Sequence, residues 1–185
     1  MKNYFLVLVS FLFAFSTVKA QDIYIAPTAS IGFFSATSME NIDAKTKEAS
    51  AAINVKTKKI FFKVKNTSFI FKSSLMQEHF NENYMESEKF PFTQFNGEIV
   101  DAPNQDFTKD GAYEVTVKGK MTLHGVEKEY TTKGSIVVKD GKIRAQAKFN
   151  IKMEDHKIKI PSVVGANIAE QVEVNVDATF EPQKK

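Results

Sequence analysis

The chain has 185 residues, 43% of them hydrophobic, with 25 basic and 22 acidic side chains, seventeen phenylalanines and neither cysteine nor tryptophan. A balance this close to neutral, with Lys and Glu scattered rather than clustered, lacks the electrostatic footprint of a nucleic-acid binder. Without cysteine, thiol catalysis, cysteine-based zinc sites and a lipid-modified N-terminal Cys are excluded.

Residues 1–20 read as a signal peptide that is cleaved. Lys2 supplies a basic start, residues 4–15 run apolar apart from Ser10, and Val18-Lys19-Ala20 places small residues at both cleavage positions. The run is too short and wrongly flanked to span a bilayer. Removing Lys2 and Lys19 with it leaves 23 basic against 22 acidic residues in 21–185, which form one domain with a substantial core. No later segment could cross a bilayer as a helix, and the expected destination is exported, periplasmic or secreted.

In chain order, Ile23 to Ile25 are cut short by Pro27, and Ala29, Ile31 and Phe33 then alternate with Ser30 and Gly32 as a first strand. Residues 38–48 read as a surface connection, and residues 50–55 as the second strand. Lys56-Thr57-Lys58 turns the chain into Ile60, Phe62 and Val64, completing a hairpin. At 73–91 the rhythm changes: Met76, Phe80 and Tyr84 fall four apart with Leu75 and His79 beside them, the stripe of a short amphipathic helix over 74–85. Ser74 with Gln77 forms a capping box there, and Pro91 restores extended chain. Residues 90–100 give a strand with Phe92 and Phe95 out of phase, which predicts a bulge or bend near Gln94. After a loop at 101–106 and the turn Asp110-Gly111, period-two alternation dominates. Tyr113, Val115, Val117, Met121 and Leu123 share one face; Gly125 reverses the chain; Tyr130, Ile136 and Val138 follow. Asp140-Gly141 is a tight hairpin turn. Ile143, Ala145, Ala147, Phe149, Ile151 and Met153 face in, and Val172, Val174, Val176, Ala178 and Phe180 form the last strand. Between these two, Gly165-Ala166-Asn167 suggests a loop folded over one end of the sheet.

The count is seven or eight long antiparallel strands, wet on one face and apolar on the other, and such strands close on themselves or pair face to face. An eight-stranded barrel is wide enough for side chains or one small ligand. The inward Ala145, Ala147 and Ala178, with Gly119 and Gly134, remove bulk from the interior. Two explanations stay open: room for a slender apolar guest, or tight coiling of strands and close packing of the helix.

Three segments together carry a family resemblance: Leu75-Met76-x-x-His79-Phe80-Asn81-x-x-Tyr84-Met85; Lys89-Phe90-Pro91 with Phe95-x-Gly97 behind it; and Gly119-Lys120-Met121-Thr122-Leu123-His124-Gly125-Val126. In these the chain resembles the YceI-like polyisoprenoid-binding proteins from about Ile31 to Phe180. Phe71-Lys72-Ser73 stands where many members carry an Asp or Arg before the helix. The resemblance implies an all-β fold, an antiparallel lipocalin-like β-barrel of about eight strands with one short α-helix inserted, in some members holding a long isoprenoid chain.

Motifs for chemistry are sparse. His79, His124 and His156 match no metal-ligand spacing, and neither a G-x-S-x-G elbow nor a glycine-rich phosphate loop occurs. His79 reads as a cap on the barrel mouth, His124 as a structural hydrogen-bonder in its turn, and His156 as a solvated loop residue. The expected protein is therefore a binder and not an enzyme, with no cofactor, taking an apolar small molecule or lipid. Two alternatives are an exported structural or stress-related barrel with a filled core, and a lipid-modifying enzyme using His79 with Glu78 or Glu82. Candidate ligand-binding residues are Phe69, Phe71, Leu75, Met76, His79, Phe80, Asn83, Tyr84, Ala145, Ala147, Phe149, Ile151, Val176 and Phe180, although the aromatic ones read equally as core. His79, Asn81, Asn83 and Lys72 are candidates for a polar rim, and the 74–85 helix and the 161–169 loop for gates. Pairing of two copies into a homodimer is left open.

Overall fold

The computed structural model describes residues 22–36, 41–159 and 170–183. The readings of 1–20 as a signal and of 161–169 as a gating loop lie outside the described residues. Within them the alternating pattern becomes β1 (Ile23–Ala36), β2 (Asn41–Asn54), β3 (Lys59–Lys65), β4 (Ile70–Phe71), β5 (Phe92–Ile99), β6 (Gly111–Leu123), β7 (Val126–Lys139), β8 (Lys142–Lys152) and β9 (Gln171–Pro182), with a helix α1 (Ser74–His79) between β4 and β5. The strands lie in the order β1-β9-β8-β7-β6-β5-β3-β2, and β1 also pairs with β2, so the sheet closes. The result is a closed antiparallel barrel of eight strands, with two-residue β4 added along β2. Closure is what such strands gain most from, because it leaves no ladder unpaired at an edge.

Three expectations about the strands are corrected. Pro27 does not end the first strand: the β1 register slips between Ala26 and Ala29, so the residue that lacks an N–H sits in a bulge and the strand continues. Residues 41–48 are not a surface connection but the first half of β2, with Ala44 and Thr46 buried. Their charges obscure the alternation, yet Asp43, Lys45 and Lys47 occupy the outer face while the small residues pass under the lid. The bulge expected near Gln94 is absent. β5 holds one register against β3 from Phe92 to Glu98, and Phe92 and Phe95 simply point to opposite faces.

The two hairpins at opposite ends of β7 turn on His124-Gly125 and Asp140-Gly141, with φ of 50°, 72°, 51° and 72°. Left-handed backbone at both positions is what a two-residue turn needs to match strand twist. The end of the barrel away from α1 is plugged by the β5–β6 loop, where fully buried Phe107 meets Tyr113 edge-on at 5.3 Å. The Lys58 ammonium donates to the Gln105 carbonyl and lies 4.2 Å from the Phe107 ring centroid. Ile53, Ile136, Ile143 and Phe180, all fully buried, complete this floor.

Candidate functional site: a capped apolar cavity

The segment from β4 to β5 forms a lid over the other end. Its helix starts at Ser74 as expected but is shorter, and Ser73, not Ser74, is the cap, its hydroxyl accepting from the Met76 N–H at 3.4 Å. Gln77 reaches back to accept from the Phe71 N–H instead of closing a capping box. From Phe80 to Tyr84 the helix widens into a π-turn, with the Met85 N–H bonded to the Phe80 carbonyl at 2.8 Å. Four residues overshoot a 3.6-residue turn and undershoot the wider one, so the drift between Met76 and Phe80 is reversed between Phe80 and Tyr84. The three side chains therefore all face the barrel.

Both stems of the lid are tied. Fully buried Asn66 bridges its two ends: its Nδ2 donates to the Phe90 carbonyl at 2.6 Å, its N–H to the Pro91 carbonyl at 2.9 Å, and its Oδ1 accepts from the Thr93 hydroxyl at 2.8 Å. Behind the helix, Met85 is buried and the Ser87 hydroxyl donates to Asn81. Both ring nitrogens of His124 face acceptors, the Glu86 carboxylate at 2.6 Å and the His156 carbonyl at 3.1 Å. Those two contacts link the lid to the β6–β7 hairpin.

His156 is not a solvated loop residue but fully buried. β7 and β8 pair only from Gly134/Ala147 to Lys139/Lys142. Beyond that point they separate, and the single turn Glu154–His156 packs against both. The His156 Nδ1–H donates to the Val126 carbonyl at 3.1 Å, the Tyr130 hydroxyl donates to Nε2 at 2.7 Å, and the two rings lie parallel. Burial pushes the His156 ring below its ordinary value, against the opposing pull of its backbone hydrogen bonds and Asp155. Burial, helped by Asp155, pushes the Tyr130 hydroxyl up to about 12. A neutral acceptor ring and a protonated phenol are the states this hydrogen bond needs.

Between lid and floor lies an apolar cavity of about 310 Å³. Its walls explain a burial pattern that strand alternation alone does not. Val117, Ala145, Ala147, Phe149 and Val176 all point inward, yet none is fully buried, because they face space. Of the small residues, Gly134, Ala145 and Ala147 line this space. Gly119 has a different use: a Cβ there would lie 2.6 Å from the Phe95 ring, which lies over it and its cross-strand partner Gly97. Under the lid, Phe80 stacks on Phe33 at 5.4 Å and meets Phe71 at 5.0 Å and Phe69 at 5.7 Å. Each such pair contributes about 0.5–1.5 kcal/mol beyond area burial.

Phe69, Phe71, Met76, His79, Phe80, Tyr84, Ala145, Ala147, Phe149, Ile151 and Val176 all line the cavity. Three other candidates do not. Leu75 stands on the outer side of the lid, 57% exposed; Asn83 is exposed; Phe180 is fully buried in the floor against Phe62. Asn81, expected at the rim, instead binds the lid's own Gln77 carbonyl and Ser87. Sequence reasoning missed Phe33, Phe62 and Phe95 as lining residues. Their position on the inward phase of strands was the available signal. Among Lys, Arg, Asp and Glu of the described residues only Lys63 borders the cavity, and its ammonium lies over the Phe92 ring, while the Gln146 amide donates to Asp177. The His124–Glu86 pair lies outside it, and no cluster of three metal-ligating side chains occurs among the described residues.

A closed antiparallel barrel, apolar inside and capped by one helix, defines a lipocalin-like ligand-binding architecture. More narrowly, the model of the YceI-like domain matches residues 19–180, and the chain belongs to that family. Among solved structures it is similar to a polyisoprenoid-binding domain from Saccharophagus degradans implicated in plant cell wall breakdown, with a TM-score of 0.75 and 14% identity over 89% of this chain and 100% of that one. It is also similar to Burkholderia cenocepacia BcnA (0.70 and 12%, over 82% and 95%) and to the Campylobacter jejuni YceI protein (0.56 and 17%, over the whole of both chains). At these identities the likeness is one of fold. No curated protein matches the chain.

Proposed function

We propose that this protein binds one slender lipid chain of polyisoprenoid type inside its barrel, outside the cytoplasm, and shields it from water without chemical change. The observation that carries the reading is the 310 Å³ cavity, lined almost wholly by aliphatic and aromatic side chains beneath an ordered lid. Each methylene moved from water into such a space contributes about 0.8 kcal/mol, so affinity needs no catalytic group. The polyisoprenoid-binding neighbour from S. degradans supports the ligand class. The signal-like residues 1–20 support export. A filled, purely structural barrel is disfavoured by the same cavity.

The test is organic extraction of protein purified from its own host, followed by mass spectrometry. A prenyl or comparable chain in molar proportion to protein is expected. Empty extracts, together with no uptake of added isoprenoids, would overturn the reading. Separating host compartments and reading the N-terminus of the recovered protein tests export independently.

A further inference from the structure

Seven large apolar side chains are exposed among the described residues, and they are not evenly spread. Phe34, Ile70, Leu75 and Phe92 sit at the lid end. The two most exposed, Ile70 at 70% and Leu75 at 57%, are on the lid itself. The register explains Ile70. β4 pairs with β2 at Ala44↔Phe71 and Lys45↔Ile70, so Phe71 enters the cavity and Ile70 must point out, beside Lys45.

Lysines accompany these tips. The Lys63 ammonium lies 4.0 Å from the Phe92 ring centroid, Lys65 pairs with Phe92 across the strands, and Lys72, two residues after Ile70, is exposed. From Ile60 to Gln77, the stretch that runs up to and onto the lid, there is no Asp or Glu but three lysines, Lys63, Lys65 and Lys72. Of the acids of the lid, Glu82, Glu86 and Glu88 fall in its C-terminal half, and only Glu78 shares α1 with Leu75. Lys45 does meet Asp43 at 3.6 Å, with both groups at the surface, and such a pair is weak.

We propose that the leading edge of the lid, Ile70 and Leu75 fringed by Lys45, Lys65 and Lys72, is a docking surface for an anionic lipid bilayer. Apolar tips enter the acyl boundary while ammonium groups on flexible stems stay at the phosphate level. A protein partner would favour a flatter, larger apolar patch than two protruding side chains ringed by lysine. The inference rests on the lipid-chain reading, since the edge that docks carries Phe71 and Met76 on its inner side, facing the cavity. Docking would place the mouth against the phase from which such a chain comes.

The absence of cysteine makes the test clean. An environment-sensitive fluorophore on Leu75→Cys should shift to the blue when vesicles containing phosphatidylglycerol are added, and not with phosphatidylcholine alone. The same label on Val137→Cys, at the far end of the barrel, should not respond. In a Lys65→Glu/Lys72→Glu background the apparent affinity should fall by about 25-fold or more, since each lysine near an anionic surface is worth about a fivefold change. No shift at position 75, equal shifts at both positions, or insensitivity to the lysine variants would overturn the proposal, as would a shift produced by soluble host proteins and not by vesicles. Extractable lipid with no shift leaves the carrier reading standing and removes the docking surface; a shift without extractable lipid does the reverse.

Discussion

Filling the cavity should abolish binding of long chains while leaving the barrel folded, and Ala147→Phe is the substitution that tests it. Ala147 lies on the inner wall of β8 opposite Gly134, half-exposed to the void. An apolar cavity of about 150 Å³ accommodates benzene, so 310 Å³ corresponds to about twelve carbon atoms in the closed form. Across a series of alkyl or prenyl chains, affinity should therefore rise about fourfold per methylene, from about 0.8 kcal/mol each, and level off near about twelve carbons unless the lid moves. The phenylalanine ring adds about six carbons and takes about half of that space, costing the longer chains up to about 5 kcal/mol. The assay is competition for a fluorescent fatty-chain probe, run beside a thermal melt. A variant that melts within a few degrees of the wild type and binds a long chain as tightly would refute the cavity as the binding site.

Three further outcomes follow from the anchoring of the lid. Asn66→Ala leaves the Phe90 carbonyl and the Thr93 hydroxyl without their buried partner. A loss of about 2–3 kcal/mol is expected by urea denaturation, with faster amide exchange across 67–90; a change near zero would show that the neck bonds are replaced by water. Gly125→Ala should cost more than Gly141→Ala. Both glycines have φ of 72°, but a Cβ at 125 would lie 2.4 Å from the Phe90 ring, whereas at 141 nothing lies within 4 Å. Melting temperatures that fall equally would mean that only backbone conformation matters. His156 predicts a pH dependence. Because burial lowers its native pKa, the unfolded chain carries the extra proton between that value and about 6.5, so stability is full above the window and falls as pH drops through it, by at most about 1.4 kcal/mol per pH unit. His156→Gln should melt lower near neutrality yet with a flatter profile toward about pH 5, and parallel profiles would contradict the buried neutral ring.

The strands from Tyr113 onward were legible because their alternation is sustained, though broken on the inward phase by Gly119, Thr132 and Gly134: one face of each must be wet and the other dry, and period two records that directly. β2 was half hidden because its buried residues, Ala44 and Thr46, are small or polar and its outer ones charged, a pattern that single-residue hydropathy reads as a loop. His156 was misread for a related reason. Its neighbours Glu154, Asp155 and Lys157 are polar, and only the separation of β7 from β8, which depends on where their ladder stops, creates the wedge that buries it.

By itself the sequence determined that the chain builds long antiparallel strands with one helical segment laid on them, since both periodicities are local properties of the chain. It also supplied several of the side chains that line the cavity, because inward phase can be counted along a strand. Whether inward alanines border a void or a tight corner was decided only by tertiary structure, through barrel curvature and the height at which the lid is held. The same is true of Ile70 and Leu75, whose outward aim follows from a two-residue pairing with β2 and from a helix capped by Ser73 instead of Ser74. No local pattern encodes that placement, because it depends on residues far away in the chain.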